Sequence, residues 1–211
     1  MTTPTPPSTL DEKTLLKAVA ELCKMDPDLA QVVERYGAPP LWDREPGFPT
    51  LIHIILEQQV SLASARAAFI KLVEASGKIT PERFRQFSYA ELKSIGFSRQ
   101  KTRYSRELSH AITCGDLDLY SFDTQTDTEV RQQLIEIKGI GRWTADIYLL
   151  MGLLRPDIWP SSDLALAKGV QRLKSLPDLP STDLQDKIAQ GWAPWRSVAA
   201  RIVWHYYLSE T

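Results

Sequence analysis

The feature that most narrows the fold is a succession of helix starts and stops with no strand-like alternation between them. Thr9-Leu10-Asp11-Glu12 reads as a capping box ahead of Leu15, Leu16, Val19 and Leu22, which recur at helical spacing. A second helix is predicted from Pro27 to Tyr36, ending at Gly37. The Pro-rich segment APPLWDREPGFP follows and suits a crossing between lobes. Apolar periodicity resumes at Thr50, breaks near Val60-Ser61 and continues through ASARAAFIKLVEASG. Thr80-Pro81-Glu82 places Pro at a first helical position. Ser88 to Ser94 closes at Gly96, and Ser98 caps the basic stretch RQKTRYSRELSHAI. Further helices are predicted at 127–137, 142–153, 163–173, 182–190 and 194–208. The expected class is all-α, with about ten helices in two lobes.

Composition excludes several classes. Lys and Arg number 25 against 26 Asp and Glu, so the formal net charge is −1 and any anion site must be built locally. Two cysteines, Cys23 and Cys114, lack paired spacing, so the sequence predicts no iron–sulfur cluster and no required cofactor. No apolar run approaches a membrane span. MTTPTPPSTL has no apolar core and reads as a disordered tail over residues 1–9, not as a signal peptide.

One stretch asks for a chemical explanation. IKGIGRWTADI, residues 137–147, sets Gly139 and Gly141 one residue apart between two helical patterns. Glycines adopt backbone angles that other residues avoid and hold no side chain in a ligand's way. The next helix opens with N–H groups that lack internal partners, a ready site for a phosphate. Such a grip follows the DNA backbone without reading sequence, and it needs few basic residues. A plain turn between packed helices fits the two glycines equally well.

Downstream, RPDIWPSSDLALAKG puts Pro160 and Asp163 at the start of a helix. The whole block resembles the helix–hairpin–helix/Gly-Pro-Asp (HhH-GPD) superfamily of DNA glycosylases, in its 3-methyladenine DNA glycosylase II branch. LEQQVSLASA (56–65) resembles the segment bearing the family's DNA wedge, and PWRSVAARIVW (194–204) resembles its C-terminal helix. The resemblance implies a two-lobed helical fold with the active-site cleft between the lobes and no N-terminal β domain. The expected lobes are 10–50 with 164–211, and a central 51–163 carrying the hairpin at 127–153.

Asp163 is the candidate catalytic carboxylate. Cleaving an N-glycosidic bond puts positive charge on the sugar, which a carboxylate stabilises while helping to deprotonate water. Asp is also a favoured N-cap, and both roles are compatible. Trp143 occupies the position where lyase relatives carry the Schiff-base lysine, which implies a monofunctional enzyme. Trp143 and Trp204 are expected to line the base pocket, since an aromatic face favours a base made cationic by alkylation. Ile147 falls where larger bacterial relatives carry a pocket tyrosine, with Tyr148 beside it, and His53 is expected to face the same pocket. Trp143, Trp204 and His53 each have a core-packing alternative. A flipped base must be replaced in the stack. Gln59, with its neighbour Gln58, matches the wedge, and a helix-terminal cap is the alternative.

Lys138, Arg142 and Thr144 flank the glycines as phosphate contacts, and Arg99, Lys101, Arg103 and Arg106 form a weaker basic candidate face. The family resemblance adds a monovalent cation, Na+ or K+, on the carbonyls of Ile135, Ile137 and Ile140. The expected partner is double-stranded DNA carrying an alkylated base, bound by a monomer away from membranes. The expected compartment is the nucleoid-bearing cytoplasm of a prokaryote or the nucleus of a eukaryote. Two readings compete: a glycosylase of the same fold for another damaged base, and a non-catalytic DNA-structure binder, which has no need of Asp163.

Overall fold

The computed structural model describes residues 9–210, so the tail expected over 1–9 lies outside the described residues except for Thr9. Helices dominate and no strand occurs among the described residues. In chain order they are α1 (Glu12–Met25), α2 (Pro27–Tyr36), α3 (Phe48–Glu57), α4 (Leu62–Ser76), α5 (Pro81–Gln86) and α6 (Tyr89–Ile95). Then come α7 (Arg99–Cys114), α8 (Asp127–Glu136), α9 (Arg142–Ile147), α10 (Leu164–Leu173), α11 (Thr182–Ala189) and α12 (Arg196–Ser209). A 3-10 segment, Leu119–Thr124, precedes α8. The helix predicted over 142–153 is α-helical only to Ile147 and continues as a π-helical turn, Tyr148–Gly152.

The caps follow the sequence closely. Ser61, Thr80, Ser88, Ser98, Thr126, Asp163 and Ser181 each accept a backbone N–H at the start of a helix. The first capping box is displaced by two residues. Asp11, not Thr9, is the N-cap of α1, and Thr14 completes the box, because Asp11 holds extended backbone and accepts the Thr14 N–H at 2.7 Å.

The chain divides into two compact units, one of residues 9–43 with 149–210 and one of 44–148. The first crossing falls inside the Pro-rich segment, at 43/44 and not at the expected 50/51. Residues 44–50 are tied to the second unit: Arg44 pairs with Glu57, and the Gly47 N–H donates to the Tyr148 hydroxyl at 2.9 Å. The second crossing falls at 148/149 and not at 163/164. Residues 149–163 pack with α12, through Ser197 N–H to Pro156 O at 3.0 Å and Ile158 N–H to Ser197 Oγ at 2.9 Å. Asp163 therefore belongs to the terminal unit with α10 and α12.

The terminal unit is built on α12, which packs against α1, α2 and α10. Arg201, fully buried on α12, donates to the carbonyls of Leu41, Ser197 and Leu150. Its three partners are neutral carbonyls, and burial pushes its pKa down to about 10, with the Asp43 carboxylate opposing. In the central unit α3 is the axis: Leu51, Ile52, Ile54, Ile55 and Leu56 are all buried against helices that include α4, α7 and α9. Each such side chain contributes roughly 1.5–3 kcal/mol. The segment that leads to Gln59 is thus firmly rooted.

Candidate active site

In the terminal unit, Pro160 to Asp163 forms a tight turn in which the Asp163 N–H donates to Pro160 O at 2.9 Å. Asp163 then caps α10. Its Oδ1 accepts the Leu166 N–H at 2.8 Å and the Trp204 Nε1–H at 3.1 Å. Two N–H donors on one oxygen fix the rotamer of a half-buried carboxylate. Cap and candidate reagent are one side chain. Trp204 is 7% exposed, on the face of α12 toward α10. Its indole is held by the carboxylate, which is more than an apolar core position requires. Gly169 on α10 permits this packing, since a Cβ there would lie 2.5 Å from Val203 of α12.

In the central unit, α8 ends at Ile137 and the turn Lys138–Gly141 leads into α9. The two glycines differ. Gly139 has φ +96, and a Cβ there would lie 1.9 Å from the ring of Tyr104 on α7. Gly141 has φ −92, an ordinary value, and open space where a Cβ would stand. The expectation that both glycines are needed for their backbone angles holds for Gly139 alone. Gly141 keeps the mouth of α9 uncovered.

Lys138 is exposed, and Arg142 is exposed although its Nε lies 3.5 Å from Asp146. Trp143 is half-buried in the first turn of α9. Thr144 does not supply the surface hydroxyl expected of it. It is 1% exposed and accepts the Gln58 amide at 3.0 Å, because it lies on the inward face of α9. Sequence reasoning missed two members of this region. Tyr104, from a distant helix, gave no local signal. Asp146 did, as an acid within an apolar run. It is buried, with the Arg131 Nε at 2.6 Å bracing α8 to α9. Burial pushes its carboxyl above the ordinary value, and Arg131 and Arg142 oppose that. Of the cation-site residues, Ile135 is exposed and Ile140 buried. The Ile137 carbonyl already accepts the Ile140 N–H at 2.9 Å.

Gln58 caps α3 and Gln59 follows with φ +57 and an exposed side chain. The wedge expectation is narrowed to Gln59. The Gln58 amide is engaged by Gly139 O and Thr144 Oγ1 and does not project. His53 stacks on Phe69 at 4.3 Å, and Glu57 beside it is taken by Arg44. Burial lowers the His53 pKa below its ordinary value, Glu57 opposing, so the ring is neutral at neutral pH. Ile147 is 3% exposed. Tyr148 does not replace the missing pocket tyrosine, because its hydroxyl accepts the Gly47 N–H. Burial pushes its pKa up to about 12.

The basic helix α7 splits in two. Lys101 donates to Leu56 O at 2.6 Å, and Arg106 to Phe87 O at 2.6 Å. Arg99 and Arg103 are exposed. No helix among the described residues is long and apolar enough to cross a membrane.

The geometry has counterparts among known proteins. Residues 52–194 match the family described as HhH-GPD superfamily base excision DNA repair protein. Schizosaccharomyces pombe DNA-3-methyladenine glycosylase 1 is 28% identical over 197 residues, covering 90% of this chain and 86% of its own. Bacillus subtilis YfjP is 28% identical over 184 residues; the match takes in 83% of this chain but spans 64% of YfjP. The structure of Schizosaccharomyces pombe 3-methyladenine DNA glycosylase (Mag1) in complex with abasic DNA superposes with a TM-score of 0.85 at 29% identity. It covers 89% of this chain and 95% of that one.

Proposed function

The chain belongs to the HhH-GPD superfamily of base excision DNA repair proteins, and from that membership we propose that it is a monofunctional DNA glycosylase for alkylated purines. The observation that carries the proposal is Asp163, whose Oδ1 accepts from both Leu166 N–H and Trp204 Nε1–H. A carboxylate whose rotamer is set before substrate arrives stabilises positive charge on the sugar without reorganising. In this reading Asp163 faces the anomeric carbon of an everted nucleotide and helps take a proton from the attacking water. A 3- or 7-alkylated purine carries positive charge, leaves readily, and gains from an aromatic face such as that of Trp204, which is bonded to Asp163. Trp143 offers no amine, so the sugar is attacked by water and the strand is left unbroken.

Duplex DNA is held along its backbone. The turn around Gly139 and Gly141 presents main-chain N–H groups, and Lys138 and Arg142 add charge. Gln59 fills the place of the everted base. The family resemblance adds a monovalent cation on the carbonyls of Ile135 at the end of α8 and of Ile137 and Ile140 in the turn, the Ile137 carbonyl sharing with the Ile140 N–H. It would stiffen the turn, and Na+ or K+ titration against DNA affinity tests it. The enzyme acts as a monomer on chromosomal DNA, in the nucleoid or the nucleus according to the cell.

The deciding experiment is base release from methylated duplex DNA by wild type and Asp163→Asn. Wild type releases methylated purine and leaves alkali-labile sites without direct strand breaks. Asp163→Asn binds the same duplex but releases far less. Equal release by both proteins removes Asp163 from the chemistry, and breaks formed without alkali contradict the role given to Trp143.

A further inference from the structure

Gln58 stands where two DNA-handling elements meet inside the central unit. It ends α3 and directly precedes Gln59. Its side-chain nitrogen has two hydrogens, and its two acceptors lie in the hairpin: Gly139 O at 3.1 Å and Thr144 Oγ1 at 3.0 Å. Gly139 sits in the turn itself and Thr144 in the first turn of the following helix. Helix α7 touches both elements, the end of α3 and the hairpin turn. Lys101 holds the end of α3 through Leu56 O, and Tyr104 lies against Gly139.

Gln59 has a left-handed backbone, unfavourable for a residue with a Cβ unless the surroundings impose it. The anchored side chain belongs to the residue directly before it. We propose that Gln58 is a positioning residue that couples the wedge at Gln59 to the hairpin's hold on the DNA backbone. Filling the stack and gripping the phosphate then act as one event. The identity of the two elements rests on the glycosylase reading above. An isolated structural bond would steady the fold alone; this one fixes the spacing between an intercalating tip and a backbone clamp.

The test separates coupling from chemistry. A duplex with 2-aminopurine opposite an abasic site reports wedge insertion by fluorescence, whether or not any base is cut. Gln58→Glu keeps the shape of the side chain and sets a carboxylate against the Gly139 carbonyl. The full chain with Gln58→Glu should lose most of the fluorescence amplitude and bind this duplex roughly fivefold to tenfold more weakly. Thr144→Val breaks one of the two bonds from the other side and should lose an intermediate share. The pair Gln58→Glu with Gln59→Ala should bind no more weakly than Gln59→Ala alone, because both act on one element. Thermal midpoints of the single variants, compared with wild type, show that the fold is kept. Wild-type amplitude in both Gln58→Glu and Thr144→Val, or additive losses in the double variant, would overturn the proposal. A wild type that inserts its wedge but releases no methylated base refutes the glycosylase reading and leaves the coupling standing.

Discussion

The turn at 138–141 and the turn at 160–163 are both short breaks before a helix, yet they are built from opposite materials. The first offers main chain. One of its glycines is demanded by a neighbouring ring and the other leaves open space at the mouth of α9. The second offers one side chain, which the Leu166 N–H and the Trp204 indole hold still. A grip on a repeating phosphate backbone works best with bare amides, which are indifferent to base sequence. A reagent aimed at a single carbon needs a fixed carboxylate. On the proposed function, the same local motif serves holding in one place and chemistry in the other.

Four substitutions sharpen that contrast, taken from the largest effect down. Asp163→Asn is isosteric, keeps an oxygen for the Leu166 N–H, and should slow base release roughly 10²–10³-fold in a single-turnover assay. Retained rate would make the second turn a holding device like the first. Gly139→Ala drives a Cβ into the Tyr104 ring at positive φ and should cost about 3 kcal/mol in denaturant unfolding. Adding Tyr104→Ala should recover part of that loss, since only the backbone strain remains. Trp204→Phe keeps a ring but removes the N–H from Asp163, and should slow base release about tenfold with DNA affinity unchanged. Gly141→Ala should leave stability within about 0.5 kcal/mol and weaken binding to duplex DNA by about 1 kcal/mol. A stability loss at Gly141 matching that at Gly139 would erase the distinction between the two glycines.

Protonation adds a smaller, separate check. Burial holds the folded-state pKa of His53 below its ordinary value of 6.5. The unfolded chain therefore binds the proton more tightly, and His53 lowers stability as pH falls through and below about 6.5. Replacing His53 by Gln should flatten the fall in thermal midpoint over that window.

Much of this was legible in residue order. Helix starts at Thr80, Ser88, Ser98 and Asp163 followed from local cap chemistry, which acts over three residues and needs no tertiary partner. The all-helical class, the hairpin and the turn before Asp163 were readable for the same reason: periodicity and turn propensity are short-range. The tertiary structure decided what depends on residues far apart in sequence. It assigned 149–163 to the terminal unit, turned Thr144 and the Gln58 amide inward, put Tyr104 against Gly139 and bound Trp204 to Asp163. Sequence fixes where a helix begins because the orphan N–H groups and their cap are neighbours in the chain. Which face of that helix is buried, and which polar group is spent inside, is settled only when another helix arrives to take it.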